Sequence, residues 1–203
     1  MKSPARERAI AALRRFTARP RAITSACELC SVPLPARHSH LWDPRDRSLA
    51  CACTSCAVLF PTGGGGPRLR VETRVTPVET TLSPADLHAL GIPVSIAFLV
   101  PSALFDCVFC LYPNARGATE GVLPRSIWET LATGTPGLTG LEAEVEGVFL
   151  DAEDGVVDAH RISIDVAHGV IGLLREGVEL RTSVRGRIRR HLAELREGSH
   201  ART

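Results

Sequence analysis

The chain has 203 residues, of which 44% are hydrophobic and 23% charged, so it can bury one substantial core and a small additional module. Its longest apolar runs, such as residues 94–100, are far too short to cross a bilayer, which excludes a helical membrane protein. Arg14 and Arg15 interrupt the N-terminus before an apolar region long enough for a signal peptide develops.

The net charge of +2 hides an uneven distribution. Residues 1–22 carry seven basic and one acidic side chain, and residues 181–203 carry seven basic and two acidic ones. The acidic excess lies between them, above all in residues 142–158, which hold seven carboxylates and no Lys or Arg. Basic ends could bind nucleic acid, but they could equally be solvated helix faces or dock on the acidic middle.

The first predicted element is a basic N-terminal helix within residues 1–22. Ile10, Leu13 and Phe16 recur at helical spacing, and Pro20 ends the pattern. A metal-binding module follows over residues 23–62.

This module contains the strongest functional signal in the sequence, which is a pair of C-x-x-C motifs. Cys27 and Cys30 form the first motif, and Cys53 and Cys56 form the second. Two such pairs can place four thiolates around one metal ion. The intervening residues read as two short extended runs around a Pro/Asp turn, and a helix start follows Cys53. A knuckle, a hairpin and a second pair at a helix start are typical of a treble-clef-like zinc module.

Three further residues lie close to these motifs in the sequence. Cys51 is two residues before Cys53, so the two would share a strand face and compete for one ligand position. We therefore predict Cys27, Cys30, Cys53 and Cys56 as ligands, with Cys51 as an alternate. His38 and His40 share a strand face and are predicted as outer-shell neighbours of the site.

Zn²⁺ is the predicted ion, and iron in the same site is the alternative. Rubredoxin-type knuckles usually carry glycine after the second cysteine of each pair, where this chain has Ser31 and Ala57. That difference favours zinc. With thiols arranged for a metal and no export signal, the expected location is the cytoplasm.

The glycine-rich run at residues 63–67 predicts a flexible linker to an α+β domain over residues 68–203, which ends in a basic amphipathic helix. The fold class is therefore α+β, a small zinc module joined to an antiparallel sheet with helices on one face. The expected strands are 68–75, 94–100, 106–112, 145–151 and 159–164, and the expected helices are 83–91, 124–133, 165–176 and 182–197.

Cys107 and Cys110 resemble a redox dithiol in spacing. In a strand, however, residues three apart point to opposite faces and lie too far apart for a disulfide, so both are predicted as core residues. Residues 117–120 read as a strand-to-helix turn that could also meet a ligand. We identify no catalytic constellation, and the expected protein is not an enzyme.

Several short motifs distributed along the chain match the pattern of one protein family. They are Cys27-Glu-Leu-Cys30, Leu34-Pro35, His38-Ser-His-Leu41, Cys51-Ala-Cys53, Cys56, Leu59-Phe60, Gly91-Ile-Pro-Val94, Gly117-Ala-Thr-Glu120, Ile171-Gly-Leu-Leu-Arg175 and Leu192-Ala-Glu-Leu195. On these residues the chain resembles an uncharacterised bacterial family of unknown function that is often encoded beside nickel–iron hydrogenase genes. The resemblance extends over residues 10–197, and the chain departs from the family pattern near residues 151–160 and at Cys107 and Cys110.

This resemblance implies an accessory role with no assigned reaction. The expected function is a non-enzymatic, zinc-stabilised protein that binds a hydrogenase subunit or assembly factor. Two alternatives stay open at this point, a rubredoxin-like iron redox carrier for the same system and a treble-clef regulator that binds nucleic acid.

Overall fold

The computed structural model of the protein describes residues 26–62, 66–92, 95–114, 117–180 and 184–200. The predicted helix within residues 1–22 and the glycines at 63–65 of the predicted linker lie outside the described residues. Within these ranges, no helix is both long and apolar enough to pass through a membrane.

The N-terminal part forms a small antiparallel sheet with the strand order β2-β1-β3. β1 (Ser39–Asp43) and β2 (Ser48–Ala52) form the predicted hairpin, and the short helix α1 (Thr54–Ala57) follows directly. The Asp43 carboxylate accepts backbone N–H groups from Arg45 and Asp46 and so closes the hairpin turn. The third strand, β3 (Leu69–Val71), comes from beyond the predicted linker and pairs with β1.

The larger sheet has six antiparallel strands in the order β4-β9-β8-β5-β6-β7. Its strands are β4 (Val75–Val78), β5 (Ile96–Ser102), β6 (Cys107–Asn114), β7 (Gly117–Pro124), β8 (Glu146–Glu153) and β9 (Val156–Ser163). β5 and β8 lie at its centre and are buried on both faces, which explains the apolar runs at residues 96–100 and 148–150.

Four further helices complete the fold, namely α2 (Pro84–Ala89), α3 (Arg125–Gly134), α4 (Ile164–Leu180) and α5 (Val184–His200). α4 and α5 cover one face of the large sheet, and α2, α3 and a 3₁₀ turn at Pro136–Leu138 cover the other. Ser83 caps α2 through a reciprocal capping box with Asp86.

The predicted α+β class with an antiparallel sheet is confirmed, and three local expectations need correction. Helices cover both faces of the large sheet and not one. Residues 68–75 form two short strands in different sheets, since the chain leaves the first sheet after Val71. Residues 117–120 begin strand β7 and are not a turn, because the whole segment pairs with β6.

Direct contacts join the small sheet to the large one. The Trp42 side chain is buried in the main core, and its ring meets that of His168 on α4 at 5.6 Å between centroids. Arg47, in the hairpin turn, forms an ion pair with Glu120 on β7 and lies 3.9 Å above the ring of Phe109. The module therefore packs against the larger sheet through both apolar and charged groups.

The basic C-terminal helix docks on the acidic middle of the chain. Arg185 Nε donates to Asp151 at 2.7 Å, and Arg185 Nη1 donates to Glu153 at 3.0 Å. Arg189 is 3.1 Å from Asp151 and 3.6 Å from Asp158. The Asp151 side chain is only 4% exposed, so these arginines balance a buried negative charge.

Replacing Arg185 with glutamate should lower the free energy of unfolding by about 3 kcal/mol, because the buried Asp151 carboxylate would lose a partner and gain a repulsive neighbour. Urea denaturation of the purified protein measures the change. The control is Arg190→Glu on the exposed part of the same helix, which should cost less than about 0.5 kcal/mol. Equal losses in the two variants would contradict the docking role of Arg185.

Candidate metal centre

The first cysteine pair lies on a tight turn that brings the two sulfur atoms close to one another. The Cys27 carbonyl accepts the Ser31 N–H at 2.7 Å, and the Cys27 N–H donates to the Val32 carbonyl at 2.8 Å. Ser31 closes the turn with φ at 62°, a left-handed conformation that glycine adopts more easily. The knuckle therefore forms without glycine, and the serine at this position is no argument against iron.

The second pair lies where β2 ends and α1 begins. Cys53 is the N-cap of α1, and its sulfur accepts the backbone N–H of Cys56 at 3.4 Å. The cysteine sulfur is therefore the capping group of this helix. The cap turns the Cys53 and Cys56 side chains to the same side.

The four sulfur atoms of Cys27, Cys30, Cys53 and Cys56 all lie within 4.8 Å of one another. The Cys30 and Cys53 sulfurs are 3.7 Å apart. A tetrahedron with metal–sulfur bonds of about 2.3 Å has sulfur–sulfur edges of about 3.8 Å. These four side chains form a cluster, called the four-cysteine cluster below, that could hold one metal ion.

The thiols in this cluster differ in acidity. Hydrogen bonding from the backbone of Cys53 lowers the pKa of the Cys27 thiol to about 6. Hydrogen bonds with the neighbouring thiols of Cys53 and Cys30 raise the pKa of Cys56 to about 12. Crowded sulfurs thus share protons in the metal-free chain, and a cation would displace them.

The four-cysteine cluster extends from the protein interior to the surface. Cys27 is buried, Cys53 and Cys56 are half-buried and Cys30 is exposed. The side chains beside the cluster are apolar and exposed, namely Leu29, Val32, Val58 and Leu59.

The structure places Cys51 apart from the four-cysteine cluster. Cys51 lies on β2 directly opposite His40 on β1, and the Cys51 sulfur and ring nitrogens of His38 and His40 are within 4.8 Å of one another. Cys51 and Cys53 do not share a strand face, because β2 ends at Ala52 and the chain turns into α1. The two histidines thus lie with Cys51 in a second group.

Sequence reasoning missed a residue behind His40, the buried Asp165 on α4. The Asp165 carboxylate accepts from His40 Nδ1 at 3.3 Å, from Thr73 Oγ1 at 2.6 Å and from the Ser163 hydroxyl. Burial acts to raise the pKa of Asp165, but the hydrogen bonds from His40, Ser163 and Thr73 outweigh it and hold the pKa below its ordinary value. The carboxylate is therefore ionised at neutral pH. No motif in the sequence links Asp165 to His40.

An α+β body that carries a four-cysteine cluster defines the class of this protein. Its sequence matches the model of the family of unknown function DUF5947 over residues 26–199. The chain belongs to that family. Searches of curated proteins and of solved structures find no match.

The two remaining cysteines lie on β6 and are both free thiols. Cys110 is buried as predicted, whereas Cys107 is half-buried and only partly fits the expectation of a core residue. Burial raises the pKa of Cys110 to about 11, which leaves little of the reactive thiolate.

Cys107 should therefore react with a maleimide in the folded protein much faster than Cys110. Peptide mass spectrometry after timed labelling measures the two rates, and a denatured sample, in which both thiols should react, is the control. Equal rates in the folded protein would show that β6 does not bury Cys110.

Proposed function

We propose that the four-cysteine cluster binds one Zn²⁺ and that the ion stabilises a surface for a protein partner. The observation that carries the first part is the convergence of four sulfurs at tetrahedral spacing. Zinc prefers four thiolates in closed structural sites, which leave no position for a substrate. The proposed protein is therefore a binding protein and not an enzyme.

The arrangement of the two pairs supports zinc over iron. Rubredoxin-type sites take both pairs from knuckles, whereas here one pair lies on a knuckle and the other at a helix start. This is the treble-clef arrangement. An iron redox carrier is the second candidate, because the exposure of Cys30 would bring a redox centre close to the surface.

The proposed docking surface consists of Leu29, Val32, Val58 and Leu59, beside the four-cysteine cluster. Exposed apolar groups that flank a rigid site are typical of protein interfaces. From the sequence resemblance, we propose a hydrogenase subunit or assembly factor as the partner and the cytoplasm as its location.

Nucleic acid is a weaker candidate partner. Arg185 and Arg189 of the basic C-terminal helix pair with the protein's own carboxylates, which reduces the positive charge that helix offers to phosphates.

The protein should retain one zinc per chain in the four-cysteine cluster after mild chelation, and Cys56→Ser should lose it. Structural zinc contributes roughly 10–16 kcal/mol in small zinc modules, so residues 26–60 should also lose protection from hydrogen exchange. Elemental analysis and exchange mass spectrometry test this, with Cys107→Ser as the control that keeps the metal. Iron in place of zinc, with visible absorption, would favour the redox carrier.

Leu59→Ser should weaken co-purification with a hydrogenase subunit or assembly factor, because the Leu59 side chain is 78% exposed beside the cluster and is available to a partner. Leu104→Ser, at an exposed leucine in the turn between β5 and β6, is the matched control and should leave capture unchanged.

Zinc content and thermal unfolding of both variants should equal those of the wild type. Equal capture of both would exclude the surface around Leu59. Absence of any hydrogenase component from the wild-type sample would contradict the proposed partner.

A further inference from the structure

A second group of metal-ligating side chains lies on the hairpin, separate from the four-cysteine cluster. His40 and Cys51 are cross-strand partners, and His38 precedes His40 by two residues. The ring centroids of the two histidines are 4.8 Å apart, and each of the three residues offers a ligand atom within 4.8 Å of the others.

Hydrogen bonds fix the same tautomer in both imidazoles. His38 Nδ1 is 2.9 Å from the Pro35 carbonyl oxygen, which can only accept, so Nδ1 carries the proton. His40 Nδ1 donates in the same way to the Asp165 carboxylate. With Nδ1 as the donor, Nε2 is the nitrogen of each ring that can offer a lone pair to a metal ion.

The His38 Nε2 atom is buried and has no hydrogen-bond partner among the described residues. A buried acceptor without a partner destabilises the fold, and a metal–nitrogen bond at that position would offset the cost. The unpaired Nε2 atom is therefore evidence for a ligand that is independent of the spacing of the three side chains.

We propose that His38, His40 and Cys51 form a second transition-metal site that takes Zn²⁺. Two imidazoles and a thiolate suit zinc and do not suit Mg²⁺ or Ca²⁺, which require oxygen ligands. The Cys51 thiol would release its proton when the ion binds. With three protein ligands, the ion has a fourth position open to water or a small ligand, unlike an ion in the four-cysteine cluster.

Asp165 is the positioning residue of this site. A carboxylate that accepts the Nδ1 proton of a metal-binding histidine fixes the ring and increases the basicity of Nε2. Thr73 and Val166 also donate to the Asp165 carboxylate, at 2.6 and 2.8 Å, so the carboxylate is itself held in place.

The order Cys51, His40, Asp165 is also that of a nucleophilic triad. A nucleophile would need only one histidine as its base. The second histidine, His38, has no role in such a triad. Its Nδ1 proton is bound by the Pro35 carbonyl oxygen and its Nε2 atom can bind a metal, so its presence favours the metal site.

Cobalt(II) titration of the full-length, metal-free protein tests the proposal. Co²⁺ bound to a thiolate absorbs visible light, so each occupied site contributes to the spectrum. Zinc added afterwards should displace the cobalt and remove the colour. The wild type should bind two Co²⁺ per chain. Cys51→Ser and His38→Gln should each bind one and retain the spectrum of the four-cysteine cluster. Cys107→Ser, the cysteine control, should bind two.

Asp165→Asn should weaken the second ion by about 10- to 100-fold and leave the first unchanged, since the amide is a poorer partner for His40. If Cys51→Ser keeps the cobalt spectrum of the four-cysteine cluster, the first site is intact. Loss of the second ion can then be distinguished from loss of the metal site on which the proposed function depends. One ion per wild-type chain at saturating metal, or two in Cys51→Ser, would overturn the proposal. Rapid alkylation of Cys51 by iodoacetamide in zinc-saturated protein would overturn it in favour of a nucleophile.

Discussion

The convergence of four sulfurs is the constraint on which the N-terminal module of the described structure depends. The module around them has a small core of its own, made of Cys27, Leu34, Leu41, Ala52 and Ala57. A segment of this size usually needs a metal or a disulfide to hold one conformation. All seven cysteines are free thiols, so no disulfide stabilises this module. A metal ion in the four-cysteine cluster could stabilise it instead. Closing the cluster fixes the knuckle, the hairpin and the start of α1 relative to one another.

Strand β1 connects the module around the four-cysteine cluster to the rest of the protein. Side chains alternate along a strand, so Leu41 faces the core of the module while Trp42 enters the main core beside α4 and α5. His40 shares the second face with Trp42 and reaches Asp165 on α4. The ion pair between Arg47 and Glu120 adds a contact at the end of the hairpin. A change in the four-cysteine cluster would therefore affect the packing of the large sheet.

Much of the fold could be predicted from the sequence, because its local signals agree with the final structure. The C-x-x-C pairs, the Asp43-Pro44 turn and the Ser83 cap each specify their element through nearby residues. Strand β7 was missed because its Gly117 and Gly121 have low strand propensity and its formation depends on pairing with β6. The separation of Cys51 from Cys53 depends on where β2 ends. The pairing of Cys51 with His40 could have been found by counting the register outwards from the turn. The contact between His40 and Asp165, 125 residues apart, has no local signal at all.

The central claim is that one zinc ion binds the four sulfurs of Cys27, Cys30, Cys53 and Cys56. X-ray absorption at the zinc edge tests it most directly, because the spectrum gives the type and distance of the ligand atoms around the ion. Cys51→Ser protein with one equivalent of zinc is the best sample, since serine removes the only other thiolate of the hairpin. The account predicts four sulfur neighbours at about 2.3 Å and no nitrogen or oxygen in the first shell. A spectrum with nitrogen or oxygen ligands, or protein that retains no zinc, would contradict it.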